Sequence, residues 1–301
     1  MKICITGARG RLGTPIVAAL QKAGHTVVPL SRNTDACFSC LSTLPQHIRQ
    51  GIDVVVHLAW SSVPASAEKT PGAEWSEDLP LISSILTACS HSVIVDGRLP
   101  LFVFFSSCSI YGEMPPGREE PFRETDKPNP SGWYANGKAA AENLVNLFSQ
   151  SGCRTLVLRV SNPFGFAQGP QQLQGIIPAA LLAAKTGQEL AVWGDGSAIK
   201  DFLDVRDLSA ALTHAVEKQL TGTFNVCDGN THSIASVIKI VENVSGLRVR
   251  VRHTAPEKWD VKNARYANEL FASRAEWSPR YSLEDGVEEL SRSYISSRPI
   301  T

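Results

Sequence analysis

Tyr134 and Lys138 stand four positions apart at the start of an apolar stretch, and they form the first candidate reactive pair of the chain. Residues 139–148 have helical spacing, so residues four positions apart share one helix face. A nearby positive charge favours a phenolate and lowers a pKa that is about 10 in a free tyrosine. The pair therefore predicts a tyrosine that exchanges protons near neutral pH. This spacing also arises often by chance, so its meaning depends on the elements around it.

A glycine-rich turn near the start of the sequence joins an apolar run, residues 2–6, to a helical pattern. Gly7, Gly10 and Gly13 have the spacing of a dinucleotide-binding turn. The first glycine permits the tight turn, the second lets a pyrophosphate approach the backbone, and the third lets the helix pack closely. The helix N-terminus adds N–H groups and a positive dipole end for the phosphates. A strand before the turn and a helix after it favour dinucleotide binding over a plain glycine-rich loop.

Strand-like and helix-like segments alternate through the first half of the chain. The strand-like segments are continuously apolar, as is typical of strands that are covered on both faces. This alternation predicts an α/β fold with a Rossmann-type, doubly wound parallel sheet. The predicted strands are residues 2–6, 26–30, 53–59, 101–106 and 155–160, with helices at 81–89 and from Tyr134 onwards. After residue 166 the predicted elements are helices 176–185 and 208–216 and strands 190–193 and 224–226.

Composition excludes several classes of function. The 301 residues carry 29 Lys and Arg against 29 Asp and Glu, so no basic surface indicates nucleic-acid or membrane binding. No apolar run is long enough to span a bilayer, and no signal peptide is expected. Seven scattered cysteines are typical of a reduced cytoplasmic protein. Cys37 and Cys40 form a C-x-x-C without a second half-site, so we expect a structural pair and no metal site.

The end of the second predicted strand bears on the choice of cofactor. NAD-binding turns usually place an Asp or Glu there to hold the ribose 2′-hydroxyl. This chain has Ser31 followed by Arg32, and a guanidinium without a carboxylate suits a 2′-phosphate. The sequence therefore favours NADP(H) and leaves NAD(H) possible.

The motifs occur together in an order that resembles a known family, the extended short-chain dehydrogenase/reductases. Within that family the chain is similar to the NAD-dependent epimerase/dehydratase group, which acts on nucleotide sugars. The resemblance extends over nearly the whole chain. It rests on the glycine-rich turn, Ser106 to Gly112, Tyr134-x-x-x-Lys138, Arg159 to Gly165, residues 190–196 and 200–207, and Trp277-Ser278-Pro279 with residues 282–286.

The resemblance implies catalytic roles for three residues. Ser107 would hydrogen-bond the reacting sugar oxygen, and Tyr134 would donate or accept the proton on that oxygen. Lys138 would lower the pKa of Tyr134 and bind the nicotinamide ribose. The reaction would be hydride transfer between a sugar carbon and the nicotinamide.

The resemblance also implies binding positions. Cofactor contacts are expected from the turn, including Arg9, Arg11 and Leu12, and from Leu58 and Ala59 after the third strand. On the substrate side, Asn162 would contact the diphosphate or sugar and Lys200 would replace the family's usual diphosphate-binding Arg. Trp193 would flank the nucleotide base or, alternatively, be a buried core residue. Asp204 has no assigned role.

Dehydratases of the family usually carry Asp-Glu just after the strand-four Thr. This chain has Cys108 and Ser109 there, so 4,6-dehydration is not expected. Either residue would be a weak proton relay or, as is favoured, a small residue that lines the pocket.

The expected layout is a dinucleotide-binding domain over residues 1–165 with return segments near 198–228. A smaller, interleaved C-terminal substrate domain would occupy most of residues 166–301. The family's use of helices 81–89 and 139–148 as a dimer interface implies a homodimer. The predicted function is a C4 epimerase or a 4-keto reductase. The alternatives are a non-catalytic dinucleotide-binding regulatory protein and a reductase of a small carbonyl or sterol substrate.

Overall fold

The computed structural model describes residues 1–31, 39–40, 43–91, 99–166 and 174–296. The strands of these residues are β1 (Lys2–Thr6), β2 (Thr26–Ser31), β3 (Ser39–Cys40), β4 (Val54–His57), β5 (Leu101–Ser107), β6 (Thr155–Val160), β7 (Asn162–Phe164), β8 (Glu189–Trp193), β9 (Ile199–Asp204), β10 (Gly222–Val226), β11 (Thr231–Ser233) and β12 (Arg250–Thr254).

The same residues form helices between and after these strands. They are α1 (Gly13–Lys22), α2 (Leu44–Arg49), α3 (Pro64–Ala67), α4 (Leu79–Ser90), α5 (Gly132–Gln150), α6 (Ile176–Thr186), α7 (Val205–Glu217), α8 (Ile234–Ser245), α9 (Glu269–Ala275) and α10 (Leu283–Ser296). A π-helical turn, Glu74–Asp78, precedes α4, and a 3-10 turn, Cys108–Tyr111, follows β5. In these described segments, no helix has both the length and the apolar character needed to cross a membrane.

Seven strands form one central sheet in the order β10-β6-β5-β4-β1-β2-β3. Every neighbouring pair runs parallel, and β1 is an interior strand, since Ile3 pairs with both Val27 and Val54. The order reverses between β1 and β4, so a crevice forms there beyond the carboxyl ends of the strands. The predicted doubly wound parallel α/β sheet is confirmed.

Helices cover both faces of this sheet. One apolar cluster joins the sheet to α1 and α7 through residues such as Ile16 and Leu212. The cluster on the other face joins it to α2, α4 and α5 through residues such as Ile82 and Val145. Because both faces are covered, the strands can be apolar at every position, and β4 is fully buried along its length.

A separate apolar cluster contains residues from α6, α8 and α10, together with β8 and β9. Here β8 pairs with β12, and β9 pairs with β7 and β11, in two small sheets. After β9 and before α8, the chain returns to the main sheet: α7 packs beside α1, and β10 pairs with β6. The elements that build the two clusters therefore alternate along the sequence after residue 164.

Candidate active site

The glycine-rich turn brings backbone into contact with backbone. Gly7 has a φ of +70°, and a Cβ added there would lie 2.7 Å from the Ala59 nitrogen. A Cβ at Gly13, the first residue of α1, would lie 2.2 Å from the Gly7 carbonyl oxygen. The Gly10 N–H donates to that same oxygen at 2.8 Å. The turn therefore needs glycine at both positions, and it leaves the start of α1 open to a bound phosphate.

A cavity of about 400 Å³ lies beyond the carboxyl ends of β1, β4, β5 and β6. It contains eleven of the predicted site residues, which come from six different segments of the chain. These are Gly7, Gly10, Arg11, Leu12, Gly13, Leu58, Ser107, Tyr134, Lys138, Asn162 and Lys200. Arg9, Ala59 and Trp193 do not line it, although Ala59 packs against the turn. Arg32 and Cys37 lie outside the described residues, as do the side chains of Ser31 and Cys40.

Ser107 and Tyr134 meet in this cavity through a hydrogen bond between their side chains. Ser107 is the last residue of β5, and its hydroxyl oxygen also accepts the Ser109 N–H at 3.1 Å. Removal from solvent raises the pKa of Tyr134 to about 12, and the Ser107 hydrogen bond opposes this rise. The nearby carboxylates of Asp78 and Glu74 raise it further. Lys138 is not among the groups that shift the Tyr134 pKa in the protein alone, where burial and negative charge dominate, so its lowering effect stays a prediction.

Lys138 lies one helical turn further along α5 and is only 5 % exposed. Its ammonium donates to the Phe105 carbonyl oxygen at 2.8 Å, and it lies 5.8 Å from the centre of the Tyr134 ring. Burial lowers the pKa of Lys138 to about 7, against the attraction of Asp78, Glu142 and Glu74. The pair therefore combines a protonated phenol with an amine that titrates near neutral pH.

The substrate-side residues are already paired with neighbours. The Asn162 amide donates to the Asp201 carbonyl oxygen at 2.7 Å. Lys200 forms an ion pair with Asp260 at 2.7 Å and donates to the Val261 carbonyl oxygen. Both Lys200 and Asp260 line the cavity, so the lysine charge faces it together with a carboxylate.

Residues 3–227 match the profile of the NAD dependent epimerase/dehydratase family, which is about three quarters of the chain. The chain belongs to the NAD-dependent epimerase/dehydratase family. Enzymes of this family are extended short-chain dehydrogenases/reductases that use a nicotinamide cofactor. The glycine turn fits that cofactor. Gly7 and Gly13 have no Cβ, so the backbone of the turn packs closely and leaves the start of α1 open to the pyrophosphate.

Three relatives illustrate how far the similarity extends. Low-salt glycan biosynthesis protein Agl12 of Haloferax volcanii is 31% identical over 198 residues, which cover 64% of this chain and 61% of that protein. The chain thus spans about three fifths of that relative. UDP-glucose 4-epimerase of Halalkalibacterium halodurans is 26% identical over 321 residues, with 96% of this chain and 94% of that protein covered.

The third relative is a solved structure, UDP-glucose 4-epimerase of Thermus thermophilus in complex with NAD. It superimposes with a TM-score of 0.86 at 23% identity, covering 99% of this chain and 100% of that one. At this identity the likeness establishes the fold.

In the present protein, a buried polar network holds the residues just after β5. Arg159 donates to the Glu142 carboxylate at 2.8 Å and to the Tyr111 hydroxyl at 2.7 Å, and that hydroxyl donates to the side-chain amide oxygen of Asn225 at 2.7 Å. The network joins β6, α5 and β10 to the 3-10 turn that follows Ser107. It accounts for the Arg and Tyr of the family motifs as supports of the turn.

Cys108 and Ser109 differ in their surroundings. The Cys108 thiol is buried and donates to the Arg159 carbonyl oxygen at 3.1 Å, and burial raises its pKa well above the usual range. A thiol in that state is a poor proton relay, so a packing role is favoured for it. Ser109 lines the cavity, and its hydroxyl oxygen has no hydrogen-bond partner among the described residues.

Two residues without a firm sequence assignment are explained by the structure. Asp204 is the N-cap of α7, since its carboxylate accepts the Arg206 N–H at 2.8 Å and also pairs with the Arg206 guanidinium. Trp193 is 37% exposed, so the alternative of a buried core tryptophan is wrong. Its ring meets Trp259 edge-on at 5.0 Å, and Trp259 is the one of the two that lines the cavity.

The cavity residues that sequence reasoning missed include Trp60, Ser62, Asp201, Trp259 and Asp260. A local signal was available for Trp60 and Ser62, because side chains that follow a parallel strand line the crevice at its carboxyl end. No local signal marks Trp259 or Asp260. The segment that carries them reaches the cavity only through tertiary contacts, such as the Lys200 ion pair.

Proposed function

We propose that the protein is a nucleotide-sugar oxidoreductase that acts at the sugar C4 position, with 4-epimerisation as the first candidate reaction. The observation that carries this proposal is the convergence of Ser107, Tyr134 and Lys138 in one cavity with the glycine turn. The relatives from Halalkalibacterium halodurans and Thermus thermophilus are both named UDP-glucose 4-epimerase, which favours the same reaction here.

In this proposal, the bound nicotinamide supplies hydride acceptance and donation. Before it reacts, Tyr134 releases its own proton to solvent; the phenolate then takes the proton from the sugar hydroxyl as C4 is oxidised and returns it when C4 is reduced. Ser107, which already bonds Tyr134, orients the same oxygen. The Lys138 ammonium stabilises the phenolate that forms, and this stabilisation is needed because the Tyr134 pKa is about 12 without further partners.

The dehydratase branch of the family fits the cavity less well. Elimination of water needs a carboxylic acid and a base beside the sugar, but positions 108 and 109 hold Cys and Ser. Among the described residues that line the cavity, the carboxylates are Asp201 and Asp260. Asp201 accepts the N–H groups of Asp228 and Gly229 at 3.0 and 2.7 Å, and Asp260 pairs with Lys200. Both carboxylates are therefore already engaged by groups of the protein itself.

A 4-keto reductase is the second candidate, and Arg32 is the observation that favours it. An arginine after the second strand suits NADPH, which reductases exchange at each turnover. The Thermus thermophilus relative contains NAD, which supports the epimerase instead. Dissociation constants for NADH and NADPH decide between them: tighter NADPH binding supports the reductase, and tighter NADH binding supports the epimerase.

The decisive experiment is incubation with UDP-, GDP- and dTDP-sugars and their 4-keto forms. Interconversion of C4 epimers without net redox change supports the epimerase, and consumption of NADPH by a 4-keto sugar supports the reductase. A protein that binds the dinucleotide but converts none of the panel would be a regulatory binder or a reductase of another carbonyl compound. The Tyr134→Phe variant is expected to lose at least about 100-fold in turnover, in line with general acid–base catalysis. Tyr281→Phe, at a distant surface, serves as its control.

We also propose that the α6–α8–α10 cluster binds the nucleotide end of the substrate and that the chain forms a homodimer through α4 and α5. These helices pack side by side, and Leu147 on α5 is 60% exposed. Leu147→Glu is expected to convert a dimer into a monomer in light scattering, because it places a charge in an apolar interface. Leu270→Glu, on the exposed side of α9, is expected to leave the molar mass unchanged.

A further inference from the structure

Trp60 touches both members of the reactive pair. It lies three residues after the end of β4 and lines the cavity. Its ring centre lies 3.7 Å from the Lys138 ammonium nitrogen, and its ring meets the Tyr134 ring edge-on at 6.5 Å. On its other side it packs against Phe104 at 6.0 Å. An ammonium at this distance from an indole face is attracted by the ring quadrupole.

Two buried carboxylates hold the residues that directly follow Trp60. Asp78 accepts the Ser61 N–H at 2.9 Å and the Ser61 hydroxyl at 2.7 Å. Glu74 accepts the Ser62 hydroxyl. Both carboxylates belong to the π-helical turn Glu74–Asp78 and are almost fully buried. Because Ser61 and Ser62 are anchored, the indole has little freedom to move away from Lys138.

The same turn packs directly against the helix that carries Tyr134 and Lys138. A Cβ added at Gly137 would lie 2.6 Å from Cγ of Glu74 and 3.4 Å from the Trp60 ring. Glycine at this position therefore lets the indole and the carboxylate reach α5 one residue before Lys138. Trp60, the two carboxylates and Gly137 form one continuous contact behind the reactive pair.

We propose that Trp60 is a positioning residue that holds the Lys138 ammonium beside Tyr134, and that Asp78 and Glu74 lock it in that place. The proposal rests on the proposed function, in which the Lys138 ammonium stabilises the Tyr134 phenolate. The ring face attracts the charged amine but not the neutral one, so it opposes the effect of burial on Lys138.

Other charges around Lys138 act in a known direction. Asp78, Glu142 and Glu74 favour its ammonium form. Tyr134 is protonated at neutral pH, and His57 is neutral because burial and Lys138 lower its pKa to about 3. Removing the Trp60 ring leaves these groups in place, so a change in Lys138 titration after that substitution reports the ring.

The test is a titration of Lys138 by NMR in protein with isotope-labelled lysine, with the signal assigned through Lys138→Arg. In Trp60→Leu the Lys138 pKa is expected to fall by roughly 0.4 to 1.5 units, the range that a desolvated cation–π contact supplies. Trp60→Phe keeps a weaker ring and is expected to show a smaller fall. Tyr281→Leu is the control, because Tyr281 is an exposed aromatic residue that does not line the cavity, and it is expected to leave the titration unchanged.

An unchanged Lys138 pKa in the folded Trp60 variants overturns the proposal. If Trp60→Leu does not fold, Trp60→Phe decides by the same criterion. Asp78→Asn keeps an acceptor for Ser61 but removes the charge, so it is expected to lower the Lys138 pKa while the indole stays in contact.

The titration needs neither substrate nor cofactor, which separates this proposal from the proposed function. A shifted titration in a protein that converts no nucleotide sugar refutes the proposed function and keeps the role of Trp60. Normal turnover with an unshifted titration refutes the role of Trp60 alone. Where both hold, the basic limb of the kcat profile of Trp60→Leu moves to lower pH by the same amount as the NMR titration.

Discussion

The two sides of the cavity are built from different parts of the polypeptide. The side at the glycine turn is made of backbone, where Gly7 and Gly13 remove side chains so that main-chain atoms approach each other. The opposite side is made of side chains that pair across long sequence distances, such as Lys200 with Asp260. A backbone-built surface depends on the absence of a Cβ. The charge of a surface made of paired side chains depends on which groups are paired, so a single substitution can change the charge of that surface.

The strongest test of the backbone side is Gly7→Ala, compared with Gly24→Ala. Both glycines have positive φ, at +70° and +83°, so both variants carry similar backbone strain. Only the Gly7 methyl would meet other atoms, at 2.7 Å from the Ala59 nitrogen, whereas nothing lies within 4 Å at Gly24. We expect Gly7→Ala to abolish measurable NADH binding in calorimetry and Gly24→Ala to retain it. Equal affinity in both variants would show that the close approach is not needed.

The side-chain surface is tested by separating the partners of its ion pair. If Lys200 binds the substrate diphosphate, Lys200→Met is expected to raise KM by about 10- to 100-fold, the range for loss of one charged hydrogen bond. Asp260→Asn is expected to leave KM unchanged or lower it, since it frees the Lys200 charge. Steady-state kinetics with one nucleotide sugar checks both. A higher KM in Asp260→Asn than in Lys200→Met would mean that the carboxylate is the substrate ligand.

The reactive pair lies between these two sides, and its burial affects stability. The pKa of Lys138 falls from 10.5 to about 7 on folding, so between these values the unfolded chain binds more protons than the folded one. The free energy of unfolding therefore rises with pH across this window, by up to about 1.4 kcal/mol per pH unit from this group. Urea unfolding at pH 7.0 to 8.5 is expected to show a flatter dependence in Lys138→Met than in the wild type. Parallel curves for the two proteins would contradict the low pKa.

The smallest expected effect concerns Asp204, whose carboxylate accepts a backbone N–H at the start of α7. Asp204→Ala removes the N-cap of α7 and is expected to lower the free energy of unfolding by about 1 to 2 kcal/mol. Asp204→Asn still caps but no longer pairs with Arg206, and a smaller loss is expected. Urea denaturation distinguishes the two. If both variants lose the same amount, the ion pair rather than the cap supplies the stability.

The backbone side could be predicted from the sequence because its signals are local. Three glycines at fixed spacing between a strand and a helix describe the turn almost completely, and continuous apolar runs describe the buried strands. Tyr134, Lys138 and Ser107 were found through motif spacing, and they do line one cavity. The NADP(H) preference stays a prediction, because Arg32 lies outside the described residues.

The remaining features could not be predicted, because they depend on long-range neighbours. The Tyr134 pKa rises rather than falls since burial and the carboxylates of Glu74 and Asp78 act on it, and their segment lies more than fifty residues earlier. Trp259 and Asp260 likewise reach the cavity from a segment with no recognisable pattern. Short elements such as β3, β7 and β11 form by pairing with strands elsewhere in the chain, so their local sequence carries little signal.

The position of β10 at the edge of the main sheet has a consequence for folding during synthesis. Until residues 222–226 leave the ribosome, β6 has an open edge, and until α7 emerges shortly before them, the apolar cluster that contains Leu156 and Leu158 is incomplete. At ordinary translation rates this interval between β6 and β10 lasts roughly 3 to 13 seconds. An open strand edge beside exposed leucines is a surface to which chaperones and other nascent chains bind. Because β10 follows β6 by more than sixty residues, the edge of the main sheet stays uncovered until most of the chain has been synthesised.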